Sequence, residues 1–284
     1  MPVVNDRVGG WRIDLEDFAS IDRYTPDDAV MAMRGHYKEI TLDPRKAMRV
    51  ENQQSLGSCQ GHSISSVCEW CYVIESGGNT DLQLSRAYGY YETQRLDGIS
   101  GDKGSTIDGG VRLAMEYGIC EESLWQYQSV YNPARPRPIE ELRANAAKYK
   151  IGNKYNLKSY EAIRTFLGSG QGAVHLGIMW NSSVDTALVN SYSQSRGGGH
   201  AIGLYSLSER KDAQGRPYLW MMNSWGKNWG NGGWSEWAPV AVELMLRTQF
   251  STFIGLSDMP SVKPREWTLE DSKRTAKWWK KGVV

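Results

Sequence analysis

Apolar positions along the chain fall into two regimes. After Gly57-Ser58, the residues Ile64, Val67, Cys68, Cys71, Tyr72 and Ile74 recur at intervals of three and four. That spacing predicts a helix of about four turns, stopped by Gly77-Gly78, with Cys59 in its first turn. Leu84 to Arg95 and Ile107 to Tyr117 repeat the helical spacing, the second closing at Gly118, and Pro133, Pro136 and Pro138 mark a loop before a further helix from Glu140 to Tyr149. From Ala173 onward the pattern changes. Ala173 to Met179, Ala201 to Leu207, Tyr218 to Met222 and Trp234 to Trp237 are short apolar or alternating runs between glycine clusters, which predicts strands. Lys211 to Gly215 has the turn chemistry of a hairpin loop, through Asp212 and Gly215.

The change of regime predicts an α+β protein. Residues 1–50 form an irregular N-terminal arm, 51–155 a helical lobe, 156–258 a β lobe and 259–284 a basic, aromatic C-terminal tail. A groove between two such lobes is a common place for a substrate. No internal repeat or low-complexity tract interrupts this division.

Bulk properties narrow the field only a little. A chain of 284 residues buries enough apolar surface to dispense with metal or disulfide staples. Its 33 Lys and Arg balance 32 Asp and Glu, so no overall field recruits nucleic acid or an acidic lipid surface. Met1 to Trp11 carries Asn5, Asp6 and Arg7 and lacks the apolar stretch of a secretory signal, and no segment reaches the length of a membrane span. The expectation is a soluble protein of a reducing compartment, the cytoplasm or an assembly made there such as a virion. Four cysteines, two of them on one helix, do not make a disulfide framework.

The strongest local feature is Gln53-Gln54-Ser55-Leu56-Gly57-Ser58-Cys59, a glycine-containing turn that delivers a thiol to a helix N-terminus. Exposed N–H groups and the positive end of the helix dipole favour thiolate there. Gln53 lies within reach to join the Cys59 backbone N–H in holding an oxyanion. A buried structural cysteine explains the same stretch about equally well when it is taken alone. The balance shifts at Gly197-Gly198-Gly199-His200-Ala201, where a histidine opens an apolar strand 141 positions after Cys59. Twenty-three positions further on stands Asn223-Ser224-Trp225-Gly226, followed by Trp229-Gly230.

With these landmarks in order, the chain resembles the papain-like cysteine peptidases of bacterial or phage type over roughly residues 50 to 256. The resemblance implies the two-lobed papain-like fold, with a helical lobe and an antiparallel, β-barrel-like lobe flanking an active-site cleft. It implies a peptide or protein substrate and no cofactor or metal. Cys59 is then the nucleophile, His200 the acid/base, Asn223 the orienter of the histidine and Gln53 the oxyanion donor. A Cys⁻/His⁺ pair spans the cleft, each charge stabilising the other, and Trp225 shields the His–Asn bond. Gly104, Ser105 and Thr106 become the rail along which a peptide lies extended; Gly177 and Ala201 line a side-chain pocket, with Trp225 and Trp229 beside the site.

Several positions depart from the family pattern. Gln60 follows the nucleophile where Trp is usual, altering the wall on the leaving-group side, and Leu56 stands where a disulfide cysteine is common. Asn223 lies 164 positions beyond Cys59, outside the usual window of about 130–150, and the longer Lys211 to Gly215 hairpin accounts for the excess. His62 is a wall or core residue rather than a rival base, because its direction is tied to its helix face. His175 reads as a hydrogen-bonded strand residue, and His36 has no recognisable partner. Cys68 and Cys71 lack the second pair a zinc site needs. The tail, with Trp267, Trp278 and Trp279 among Lys273, Arg274, Lys277, Lys280 and Lys281, is either a docking element for an assembly partner or a loose terminus.

Two other functions fit parts of this pattern, a cell-wall peptide amidase and a non-catalytic papain-like component of a larger assembly. Only about fifty residues precede the motif, which points to restraint by an assembly or by residues 1–30 lying over the cleft. If the arm restrains the site, deleting Met1 to Tyr24 raises peptide hydrolysis over the full-length chain; equal activities in a fluorogenic assay refute it.

Overall fold

The computed structural model describes residues 43–194 and 197–262. Most of the N-terminal arm, His36 and the aromatic and basic residues named in the tail lie outside the described residues. The chain proceeds from α1 (Pro44–Ala47) through α2 (Cys59–Glu75), α3 (Arg86–Leu96), α4 (Ile107–Glu116) and α5 (Ile139–Ala146). After β1 (Asn153–Asn156) and α6 (Tyr160–Gly168) come β2 (Gly172–Trp180), β3 (Leu188–Val189), β4 (Gly198–Lys211), β5 (Pro217–Met222) and β6 (Trp234–Trp237). Helix α7 (Pro239–Leu246) and β7 (Thr252–Ser257) complete it. The helix expected to reach Tyr149 tightens into a 3₁₀ turn over Ala147–Tyr149. This is the α+β, papain-like fold expected from the sequence.

The strands form one seven-stranded sheet in the order β1-β7-β2-β4-β5-β6-β3, antiparallel except for the short β3–β6 pair. Alternation along each strand assigns side chains to two apolar clusters. Ala173, Tyr205, Trp220 and Leu256 join the cluster built by α2 to α5. Val174, Leu176, Ile178, Ile202 and Phe253 join the cluster of α6 and α7, with Ile163, Phe166 and Met245. The sheet therefore packs helices against both faces, and the strands beneath α2, namely β2, β4 and β7, all come from the second half of the chain.

Helices α1, α6 and α7 and strands β1, β3 and β7 are absent from the spacing-based expectation. Helix α6 does carry a signal, since Ser159 accepts from the Ala162 N–H as an N-cap and Tyr160, Ile163, Phe166 and Leu167 bury one face. Helix α7 misleads instead. It begins at Pro239 and carries β-branched Val240 and Val242, which local preference assigns to a strand and tertiary packing turns into a helix.

Helix α2 dominates the interior: 15 of its 17 residues are buried, so it has no solvent face for amphipathic spacing to mark. Its apolar residues Ile64, Val67 and Ile74 each contribute about 1.5–3 kcal/mol by leaving water. Several of its buried polar residues are individually matched. Glu69 forms a two-pronged ion pair with the buried Arg86 guanidinium and accepts from the Leu84 N–H at 2.7 Å. Arg86 also donates to Ser66 Oγ at 3.1 Å, Ser65 Oγ donates to the Ser85 carbonyl at 3.3 Å, and Ser63 Oγ bonds His175 Nδ1 at 2.8 Å. His175 is thus a hydrogen-bonded strand residue, as expected.

Helices α2 and α3 cross at Gly61 and Gly89. A Cβ on Gly61 would lie 2.6 Å from the Tyr90 backbone nitrogen, and one on Gly89 would lie 2.8 Å from Ser65 Oγ. Contact with backbone cannot be relieved by a rotamer change, so Gly61→Ala is expected to lower stability by about 1–3 kcal/mol through overpacking. Urea denaturation measures it, and an unchanged midpoint would refute the close crossing. Among the described residues, no helix is long and apolar enough to cross a membrane.

Candidate active site

The site forms where the turn before α2 meets the segment after β5. Gln53 N donates to the Ser224 carbonyl at 2.8 Å and Gly226 N to the Glu51 carbonyl at 2.9 Å, with Asn52 and Trp225 as bridge partners. This short zipper brings the loop that precedes Cys59 beside Asn223. Side chains reinforce it: Ser224 Oγ donates to Gln53 Oε1 at 2.6 Å, and Gln53 Nε2 donates to the Leu56 carbonyl at 2.9 Å. Tyr127 fastens both ends of the loop, its hydroxyl donating to the Gln53 carbonyl at 2.7 Å. With that proton committed, Ser58 Oγ donates to Tyr127 at 2.7 Å, and His62 Nδ1 turns to the Ser58 carbonyl at 3.1 Å. Stacked edge-on against Tyr127, His62 is a buried wall residue.

Cys59 is the first residue of α2. Ser58, at the N-cap, uses its hydroxyl on Tyr127 and makes no side-chain cap to the helix. Cys59 Sγ accepts from the Ala201 N–H at 3.4 Å, so the residue after His200 touches the thiol directly. Strand β4 sets this contact by pairing with β2, where Ile178 stands opposite His200 and Gly177 opposite Ala201. Both His200 and Cys59 are fully buried.

The tautomer of His200 follows from its neighbour. Ser224 N donates to Asn223 Oδ1 at 2.8 Å, which identifies that atom as the oxygen, and the same oxygen is 2.8 Å from His200 Nε2. Nε2 therefore carries the proton. In the neutral ring this leaves Nδ1 with a lone pair, and Nδ1 has no hydrogen-bond partner among the described residues. Trp225 lies over the imidazole at 4.9 Å and Trp180 meets it edge-on at 4.9 Å. Trp229 closes the cluster against both tryptophans, its Nε1 donating to Asp185 at 2.7 Å. Trp180, missed in the sequence, is the residue directly after the apolar run that ends at Met179.

Ionisation departs from the expected Cys⁻/His⁺ pair. Burial pushes the Cys59 thiol up to about 12, against the opposing pull of the Ala201, Gln60 and Cys59 N–H groups. Burial pushes His200 down to about 4, with the Asn223 bond resisting. Both shifts favour the uncharged form of the group, because loss of water costs each charge more than the fixed donors return.

The rail residues also connect to this centre. Ser105 Oγ donates to Gln60 Oε1 at 2.7 Å, which ties the residue after Cys59 to the 104–106 segment. Thr106 caps α4 by accepting from the Gly109 N–H at 2.9 Å. Gly104 takes a positive φ of 77° and turns both of its backbone groups inward, to Tyr90 and Gln94.

Comparison with known proteins follows this geometry. The profile of the papain family cysteine proteases matches residues 40–248. The chain is 28% identical to an uncharacterized peptidase C1-like protein of Acanthamoeba polyphaga mimivirus over 69% of this chain and 66% of that one. It is 29% identical to Peptidase 1 of Psoroptes ovis over 66% of this chain and 55% of that one. It thus spans just under two thirds, and about half, of these relatives' lengths. In fold it is similar to xylellain, a cysteine protease from Xylella fastidiosa, with a TM-score of 0.69, 22% identity, and coverage of 88% of this chain and 96% of that one.

The sign of the pH dependence follows from the raised thiol. As an acid held neutral, Cys59 in the covered state gains thiolate as pH rises, so its alkylation by iodoacetamide should climb about tenfold per unit from about pH 6 to about pH 10. Stopped alkylation read by mass spectrometry measures this. A flat rate across the interval would reveal a pre-formed Cys⁻/His⁺ pair.

Proposed function

We infer the activity from one premise: the chain belongs to the papain family of cysteine proteases. We propose that it is a cysteine peptidase that hydrolyses peptide bonds through an acyl-enzyme on Cys59. One observation carries the assignment of roles. The His200 ring is fixed by Asn223 at 2.8 Å with its basic nitrogen unengaged, while the amide of the next residue touches the Cys59 sulfur.

The steps follow from these positions. His200 Nδ1 accepts the Cys59 proton as the sulfur attacks the substrate carbonyl carbon, and the carbonyl oxygen becomes an oxyanion. The Cys59 N–H at the start of α2 and the Gln53 side-chain amide stabilise that charge. The imidazolium then protonates the leaving amine, and the neutral ring later takes a proton from water as it attacks the thioester, releasing the acid and restoring the thiol. Asn223 orients the ring without adding a negative charge, and the tryptophans keep water from the His–Asn bond. Of the expected rail, the Ser105 backbone is the part assigned to hold the peptide extended, since Gly104 turns inward and the Thr106 N–H donates to Asp97; Gly177 and Ala201, adjacent across β2 and β4, floor a side-chain pocket.

The complete burial of Cys59 and His200 also favours a second reading, a papain-like component that binds peptide without cleaving it. A thiol-directed epoxide, with labelled peptides mapped by mass spectrometry, separates the two. Modification of Cys59, together with peptide hydrolysis that falls by about 10²–10⁴-fold in His200→Ala, is the expected result. Labelling of Cys68 or Cys120 instead, or hydrolysis that persists in Cys59→Ala, would overturn the assignment.

A further inference from the structure

We propose that Asp102 is a positioning residue that holds the nucleophile loop and the substrate rail at a fixed separation. The inference rests on the reading of Cys59 as nucleophile and adds a residue that no motif marks. One carboxylate oxygen, Asp102 Oδ1, accepts from the Gly57 N–H at 2.9 Å and from the Tyr90 hydroxyl at 2.7 Å. Gly57 is two residues before Cys59 and 45 residues from Asp102 in sequence. The Tyr90 oxygen in turn accepts from the Gly104 N–H at 3.3 Å and from Gln94 Nε2 at 3.1 Å. Gln94 Nε2 also reaches the Gly101 and Gly104 carbonyls, both at 2.9 Å. Two loops with no strand or helix in common thus meet at a single acceptor.

The remaining contacts show why this link is needed. Tyr127 grips the nucleophile loop at the Gln53 carbonyl and Ser58 Oγ, leaving Gly57 between them to be held from the other side, where Asp102 stands. A second, parallel tie runs from Ser105 Oγ to Gln60 Oε1, one residue beyond the nucleophile. Tyr90 is fully buried, and burial, followed by the Asp102 carboxylate, pushes its phenol far above the ordinary value, so it stays a donor. A charged acceptor strengthens both bonds relative to a neutral one. The consequence is geometric: the oxyanion donors at one end and the peptide-holding backbone at the other keep one spacing, which catalysis by orientation requires.

The test uses the full-length chain. In a Cys59→Ala background, hydrogen–deuterium exchange should quicken by about tenfold in peptides covering 53–58 and 101–106 together when Asp102 becomes Ala, while Asp102→Asn, which keeps the acceptor oxygen, stays within about twofold of the parent. With the nucleophile intact, Asp102→Ala should lower kcat/KM for a fluorogenic peptide amide about tenfold, and Asn should restore it. Alkylation of Cys59 by iodoacetamide, which needs no rail, should stay within about twofold. Unchanged exchange at 53–58, equal acceleration throughout the protein, or alkylation falling in step with hydrolysis would each overturn the proposal. Should Asp102→Ala fail to fold, Tyr90→Phe keeps the buried ring and the Asp102–Gly57 bond, removes the bridging hydroxyl and must quicken exchange at 101–106 more than at 53–58, the reverse order overturning the proposal. A wild-type chain inactive on peptides would defeat the peptidase reading alone, since the exchange measurement decides the clamp without turnover.

Discussion

The burial of α2 on every side is the constraint on which the other features depend. A helix buried along 15 of its 17 residues needs partners for its polar side chains, and those partners come from α3 and β2, with Tyr127 bonding the N-cap Ser58. The demand fixes the helix in all directions, and with it the first residue, Cys59. Strand β4 packs on the same helix, so the Ala201 amide reaches the sulfur without any dedicated connection between the two. The close approach at Gly61 and Gly89 completes the fit.

The same burial governs the electrostatics. A cysteine at a helix N-terminus, considered by itself, is acidified; one wholly removed from solvent is not, and here removal from solvent prevails. His200 shifts for the same reason in the opposite sense. Each shift favours the uncharged form of its group, and that proton distribution is still the one base catalysis starts from: a thiol bearing its proton and an imidazole nitrogen able to take it. The fold supplies geometry in advance of charge.

What the sequence made legible, and what it did not, divides along physical lines. The glycine-containing turn and the helical spacing behind it identify the start of α2 because punctuation and periodicity are local. Strands β2, β4, β5 and β6 are legible for the same reason. The zipper between Glu51–Gln53 and Ser224–Gly226 is not, since its two sides lie about 170 residues apart and neither has a pattern that names the other. Asp102 is hidden likewise, an acid in a turn until folding carries Gly57 to it. Gln60 is visible as a departure from Trp, yet its direction, toward Ser105, depends on packing around Gly110. Trp180 sits outside every motif and joins the site only through the crossing of β2 with the segment after β5.

The ion pair between Glu69 and Arg86 acts as a phase lock. Glu69 stands ten residues after Cys59, about 15 Å along the axis, and is held from two sides by one guanidinium with no water to substitute. An apolar interior tolerates a helix that slides or rotates slightly, exchanging one hydrocarbon contact for another; a desolvated charge does not, because displacement strands it. Rotational slack that would swing the sulfur past its neighbours is thereby suppressed from a point well away from it. Accuracy at the reacting end is inherited from a polar key set deep in the middle of the helix.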